Sequence, residues 1–227
     1  VECSTHAVSP KSSSYPRTPA DLKPAEWAAS SRSPLRPLLT IATGNPIKVA
    51  EIEAMLGPLP IDVRRQPSDL DVEETGSTYA ENAALKAVAA AIRTNGWALA
   101  DDSGLEVDAL GGAPGLFSAR FADSDAAKIE RLLTQLGDTP YRSACFKSTM
   151  VISDPSGQCV ASAEGVCWGE LLSSPAYPNG CYESLLWVRE AQCTYGEMNH
   201  AQLTRLGSRG KAARALAPDL RRLLNLG

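Results

Sequence analysis

Residues Ala100 to Arg120 read A-D-D-S-G-L-E-V-D-A-L-G-G-A-P-G-L-F-S-A-R. They follow an apolar run, Trp97-Ala98-Leu99-Ala100, that reads as a buried strand ending in a turn at Ser103-Gly104. In an open α/β sheet, ligands bind where strands end, so Asp101 and Asp102 are expected to face a cleft. With no histidine nearby, two hard oxygen ligands at such an edge suit Mg²⁺ and phosphate better than zinc. Taken alone, Asp-Asp-Ser-Gly reads first as a turn with one capping and one solvated aspartate, and it is the company of the other motifs that favours the cleft.

Outward from this stretch, the chain alternates strands and helices. Leu38 to Thr43 reads as a strand, and Asn45-Pro46 starts a helix to about Leu56, with Asn as N-cap and Pro in the first turn. Ile61 to Arg65 is a second strand, followed by an acidic loop from Asp69 to Gly76. Thr78 and Glu81 make a capping box for a long Ala-rich helix that stops at Asn95-Gly96. Beyond the Gly-rich loop Gly111 to Gly115, a helix spans about Asp125 to Leu136. Ser143 to Ser153 and Gln158 to Leu172 alternate like antiparallel neighbours around the turn Asp154-Pro155-Ser156-Gly157. Two helical pieces follow, His200 to Leu206 and Ser208 to Leu224, the second expected to kink or break at Pro218.

Residues 1–37 are rich in Ser, Pro and Ala without sustained periodicity and read as a disordered extension, leaving 38–227 as the folded domain. The segment carries Arg and Ser as transit peptides do, but Glu2, Asp21 and Glu26 argue against that reading, and the expected location is the cytoplasm. A net charge of −4 with scattered basic residues argues against nucleic-acid and anionic-membrane partners, and no apolar run approaches the ~20 residues of a membrane span. Six cysteines without a C-x-x-C pair read as reduced thiols, and only two histidines, His6 and His200, nearly exclude Ser-His-Asp or Cys-His catalysis.

Thr43-Gly44-Asn45-Pro46-Ile47-Lys48 sits between a strand and a helix, where unpaired N–H groups and the positive helix end attract an anion. Gly44 lets a phosphate approach the backbone, and Lys48 adds a full charge; the bland alternative is an ordinary turn with a solvated lysine. Glu73 and Glu74 add two carboxylates in a loop, which alone would simply be solvated. Asn82 and Lys86, at i and i+4, share one helix face.

T-G-N-x-x-K, E-E-T-G-x-T-x-x-E-N-A-x-x-K-A, the Asp101 block and a late G-S-R-G-K-A occur in this order. Together they resemble the inosine triphosphate pyrophosphatase family over nearly everything from Leu38 onward. The resemblance implies an α/β fold with a long, mixed, twisted sheet flanked by helices, two lobes around a nucleotide cleft, and a homodimer. It also implies Mg²⁺-dependent hydrolysis of ITP, dITP and XTP to nucleoside monophosphate and pyrophosphate. By the same resemblance, Thr43, Gly44, Asn45, Pro46, Ile47 and Lys48 hold the triphosphate, and Glu73 with Asp102 binds the metal, Glu74 staying open as the alternative ligand. Asp102 also serves as general base, Ser103 contacts substrate, and Lys86 and Asp101 contribute charge at the scissile phosphates.

The base-reading end departs from that pattern. Where relatives carry G-F-G-Y-D-P, this chain has Gly180-Cys181-Tyr182-Glu183-Ser184; where they carry S-H-R, it has Gly207-Ser208-Arg209, with Leu203 at a lysine position. Gly180, Cys181, Tyr182, Glu183, Ser208 and Arg209 are therefore the expected base contacts, while His200, about two helical turns earlier, is a surface residue. Two alternatives stay open: a pyrophosphatase with shifted base preference, like the septum-formation-type enzymes, and a nucleotide-binding protein without turnover.

Overall fold

A seven-stranded mixed sheet is the frame of this computed structural model, which describes residues 36–226. In chain order its strands are β1 (Leu38–Ile41), β2 (Asp62–Arg65), β3 (Trp97–Val107), β4 (Ser143–Ser153), β5 (Cys159–Leu171), β6 (Leu186–Val188) and β7 (Cys193–Thr194). They lie side by side as β2-β1-β3-β4-β5-β6-β7, parallel from β2 to β3 and antiparallel from there on. The expected fold class is thus the observed one. The extension expected over 1–37 lies, but for Arg36 and Pro37, outside the described residues. Among those residues no helix is long and apolar enough to cross a membrane.

The strand through the paired aspartates runs further than the sequence suggests. It continues straight through Ser103-Gly104, so the expected turn is absent. Pairing explains it: β4 stays in register from Ala98 opposite Ser153 to Val107 opposite Ala144. Gly104 serves close approach instead of turning, because a side chain there would meet the Gly115 carbonyl and the hydroxyls of Tyr79 and Ser118.

Among the described residues five helices flank the sheet: α1 (Pro46–Leu56), α2 (Tyr79–Thr94), α3 (Asp125–Leu136), α4 (His200–Leu206) and α5 (Ser208–Leu223). On one face α2 lays Ala83, Ala87, Ala90 and Ala91 on Ala98, Ala100 and Val151, small side chains that allow a close helix-on-sheet approach. The other face carries two apolar clusters. One joins α1 and α5 to Leu39, Ile41, Leu99, Met150 and Ile152; the other joins α3 to Leu105, Val107, Leu171 and Leu186. The helix signals act as read: Thr78 accepts from the Glu81 amide at 3.1 Å, and Asn95 closes α2 in the left-handed region at φ 46°. Glu81 reaches one residue further back than a standard capping box, to the Ser77 amide. α5 is continuous through Pro218, which is exposed, so the expected break is not found.

One topological detail places the site. β1 stops at Ile41 opposite Leu99, and the Ala42 amide closes on the Leu99 carbonyl at 2.7 Å. From Ala100 to Gly104 the β1-side edge of β3 pairs with no other strand among the described residues, until Leu105 meets Ser118 and Glu106 bridges to Pro114. Successive strand residues face opposite sides, so Asp101 and Asp102 project to the two faces of the sheet at this open edge. Groups from α2 on one face and α5 on the other can therefore meet one ligand.

Candidate functional site

Asp101 points to the α5 face and is almost wholly buried, with a side chain 2% exposed. A buried carboxylate without a partner would be prohibitively costly, and Arg209, the second residue of α5, supplies one: its Nε donates to Asp101 at 2.7 Å. The same guanidinium donates through Nη2 to the Ser103 hydroxyl at 3.0 Å and lies 3.7 Å from Glu51 of α1. Burial opposes the charge on Asp101, but Arg209, Lys48 and Lys86 outweigh it and hold the carboxyl at about 2. Asp101 is an anion at any physiological pH, and its first duty is to Arg209.

Asp102 faces α2. Its Oδ2 accepts from Asn82 Nδ2 at 3.1 Å, its Oδ1 from the Ser103 amide at 3.0 Å, and Lys86 Nζ stands 3.5 Å from Oδ1. Burial is the largest influence on this carboxyl and raises its pKa; Lys86 opposes that and Glu74 adds to it. The result is a carboxylate more basic than an ordinary aspartate, as a general base needs to be.

Of the two loop acids, Glu74 is the one brought to this cluster, donated to by Lys86 at 2.7 Å. Glu73 is exposed and makes no hydrogen bond or ion pair among the described residues.

Two cavities flank the open edge. The smaller, 230 Å³, is lined by Thr43, Gly44, Lys48, Glu74, Lys86 and Asp101 among others, so the expected phosphate loop, the acidic loop through Glu74, and Asp101 share one cleft; Asp102 is not in its lining but stands 3.5 Å from Lys86, which is. Thr43 Oγ1 accepts from the Asn45 amide at 3.2 Å, and a side chain at Gly44 would meet nothing within 4 Å. Pro46 and Ile47 begin α1; the Ile47 side chain is outside the described residues.

The second cavity, 380 Å³, opens between the two apolar clusters on the α5 face. Met55 and Leu203 come from one side and Phe146 and Tyr195, whose rings lie 4.6 Å apart, from the other. Polar groups in its wall are Glu51, Ser103, Ser148, Glu183, Ser208 and Arg209. Ser208 and Ser148 share a buried hydrogen bond of 2.8 Å, and Tyr195 Oη lies 3.5 Å from Ser208 Oγ. Larger cavities of 580 and 620 Å³ lie beside α2, but neither includes Lys48, Asp101 or Arg209; donor chemistry, not size, selects the pair described here.

The expected base segment is only partly in this wall. Glu183 lines the cavity, its carboxylate held by the Cys181 amide at 2.8 Å. Tyr182 instead packs into the α3 cluster, its hydroxyl donating to the Ser118 carbonyl at 3.3 Å, and Gly180 lines a different cavity beside α3. Gly180, Cys181 and Tyr182 are thus placed away from the position expected of them, because the helical turn Tyr182–Ser184 rotates the ring inward. Glu51, Phe146, Ser148 and Tyr195 were not anticipated; only the apolar-polar alternation of β4 hinted at Phe146 and Ser148. His200 is exposed, as expected.

Two cavities joined through the Asp101–Arg209 pair at the carboxyl ends of the parallel strands β1 and β3 define a class: open-sheet α/β proteins with a cleft at the sheet edge, where such folds place their ligands. The chain belongs to the Ham1 family, whose model matches residues 39–219. It is 46% identical over 188 residues to the dITP/XTP pyrophosphatase of a Synechococcus species, covering 82% of this chain and 91% of the relative. Among solved structures, a HAM1 protein from Coxiella burnetii superposes with a TM-score of 0.74 at 35% identity, covering 82% of this chain and 99% of the other. The nucleoside-triphosphatase / dITP/XTP pyrophosphatase of Mycobacterium abscessus gives 0.64 at 34% identity, covering 80% and 99%. These findings agree with the resemblance read from the motifs.

Proposed function

We propose that this chain hydrolyses deaminated purine nucleoside triphosphates, ITP, dITP and XTP, to the monophosphate and pyrophosphate, and so cleanses the nucleotide pool. The observation that carries the reading is the ion pair between Asp101, in the wall of the cavity that also holds Lys48 and Lys86, and Arg209 in the wall of the aromatic one. A triphosphate in the first cavity then delivers its base to the second. Names of relatives, dITP/XTP pyrophosphatase, support the same substrate class.

The residues fit Mg²⁺. That ion is typically held by one or two carboxylates plus substrate phosphates, and the donors here are oxygens only. By the resemblance Asp102 with Glu73 would hold it; Glu73 is exposed and makes no hydrogen bond or ion pair among the described residues, whereas Glu74 is paired to Lys86. When bound, the ion supplies charge neutralisation and an acidified water. Asp102 takes the proton from the water that attacks the α-phosphorus. Lys48, Lys86 and the backbone amides around Gly44 stabilise the charge on the phosphate oxygens. Arg209, fixed by Asp101 and Ser103, reads the base, with Glu183 and the Ser148–Ser208 hydroxyls beside it.

The free thiols of the five described cysteines suit a reducing compartment, the cytoplasm. A homodimer is part of the same proposal, supported by an uncovered sheet face that exposes Trp168 and Trp187.

Pyrophosphate release from a panel of triphosphates, with and without Mg²⁺, tests the reading. ITP, dITP and XTP are expected to turn over, chelation to stop turnover, and Asp102→Asn to lower kcat by about 100-fold or more. Faster turnover of dTTP or UTP would favour the shifted-base alternative, for which Ser208 and Leu203 are the motivating observations. Equal background release in every sample would leave a binding protein.

A further inference from the structure

Asn82 is completely buried on α2 and both ends of its amide are committed across the site. Its Oδ1 accepts from the Gly76 amide at 2.8 Å, and its Nδ2 donates to Asp102 Oδ2 at 3.1 Å. The orientation admits no exchange of O and N, because an amide N–H requires an acceptor and a carboxylate a donor. Gly76 is pressed so closely on this helix turn that a side chain there would collide with Glu81 Cβ and with Asn82 itself. The last residue of the acidic loop and the proposed general base are thus locked to one side chain.

We infer that Asn82 is a positioning residue that couples the 73–76 loop to Asp102, turning the carboxylate so that Oδ1 stays toward Lys86 and the reacting water. Phosphate and base contacts lie elsewhere, so its loss falls on turnover more than on affinity. This rests on the function proposed above.

The test compares Asn82→Asp with Asn82→Ala in the full chain, using XTP and Mg²⁺. Asn82→Asp keeps the shape and an oxygen for the Gly76 amide but replaces the donor facing Asp102 by an acceptor; Asn82→Ala removes both contacts. Both are expected to lower kcat by about 10–100-fold with KM within about threefold, as for groups that orient a catalytic ligand. Hydrogen exchange at the Gly76 amide separates the two ends: protected in wild type and Asn82→Asp, fast in Asn82→Ala. Wild-type kcat in Asn82→Asp would overturn the inference and leave Asn82 a loop clamp. Should Asn82→Asp fail to fold, the exchanged pair Asn82→Asp/Asp102→Asn restores one donor facing one acceptor and is expected to recover folding; failure to recover would count against the coupling. A wild-type chain inert toward XTP, dITP and ITP would sink the functional reading instead, with the exchange and refolding results still standing on their own.

Discussion

Arg209 and Asp101 are 108 positions apart, yet each is the other's nearest counter-charge inside the protein. Removing one partner leaves an uncompensated buried charge, so Asp101→Asn should cost about 3–5 kcal/mol in urea unfolding, and Asp101→Leu/Arg209→Met should recover much of it. The two glycines Gly44 and Gly104 make a matched pair of opposite meaning. A methyl at Gly44 meets nothing within 4 Å, so Gly44→Ala should leave stability within about 0.5 kcal/mol while raising the KM for XTP, because the fold does not need the bare backbone and the phosphates do. At Gly104 the added methyl strikes backbone, and Gly104→Ala should lower the urea midpoint by a loss of about 1–3 kcal/mol. The residue types of the proposed site were legible because the Mg²⁺–phosphate chemistry proposed for it calls for carboxylates, lysine and glycine in short contiguous motifs. Their partners were not: nothing local in the sequence tells that Arg209 serves Asp101, that Lys86 grips Glu74, or that Tyr182 turns into the core while Phe146 and Tyr195 wall the cavity.

Elements show the same division between local and non-local causes. Helix α2 begins at Thr78 and ends at Asn95 as its capping residues dictate, since caps act within one turn. The β4–β5 hairpin was equally readable, because Asp154 collects the Ser156 amide and hydroxyl and the Gln158 amide on one oxygen, and Gly157 takes the positive φ. What failed was the end of β3: Ser103-Gly104 looks like a turn until β4 is seen pairing with it, and Pro218 looks like a break until α5 is seen to continue past it. The strands β6 and β7, three and two residues long, are too short to carry any period. The hairpin also carries a pH dependence. Hydrogen bonds from Ser156 and Gln158 hold the Asp154 carboxyl below its usual range, so its contribution to stability is present above the unfolded pKa and fades as pH falls through the folded one. Asp154→Asn should lower the urea midpoint at pH 7, and the gap to wild type should close as pH drops below about 4.

At the scale of the molecule, the sheet is covered unequally. One face is occupied by α1, α5 and α3, whereas on the other α2 covers the β1–β3–β4 end. Trp168 on β5 lies opposite Cys145, and Trp187 on β6 lies opposite Glu170, two residues along β5 from Trp168, so both indoles stand on the face that α2 leaves open. They are 56% and 37% exposed, and Phe117 and Tyr141 are exposed as well. Large aromatics left in water on a flat sheet are a cost that a second surface removes, and a twofold pairing of this face lets each indole bury against the facing copy. A stable dimer needs about 800 Å² from each partner, the area that a pairing of this face has to bury. On the proposed homodimer, the wild type is expected to sediment as a dimer and Trp168→Lys/Trp187→Lys as a monomer. Its urea midpoint, extrapolated to low protein concentration, should match that of the wild-type monomer, since neither indole is in an apolar core cluster. A wild-type chain that stays monomeric at micromolar concentration, or a double variant that still pairs, would mean this face is not where two copies meet.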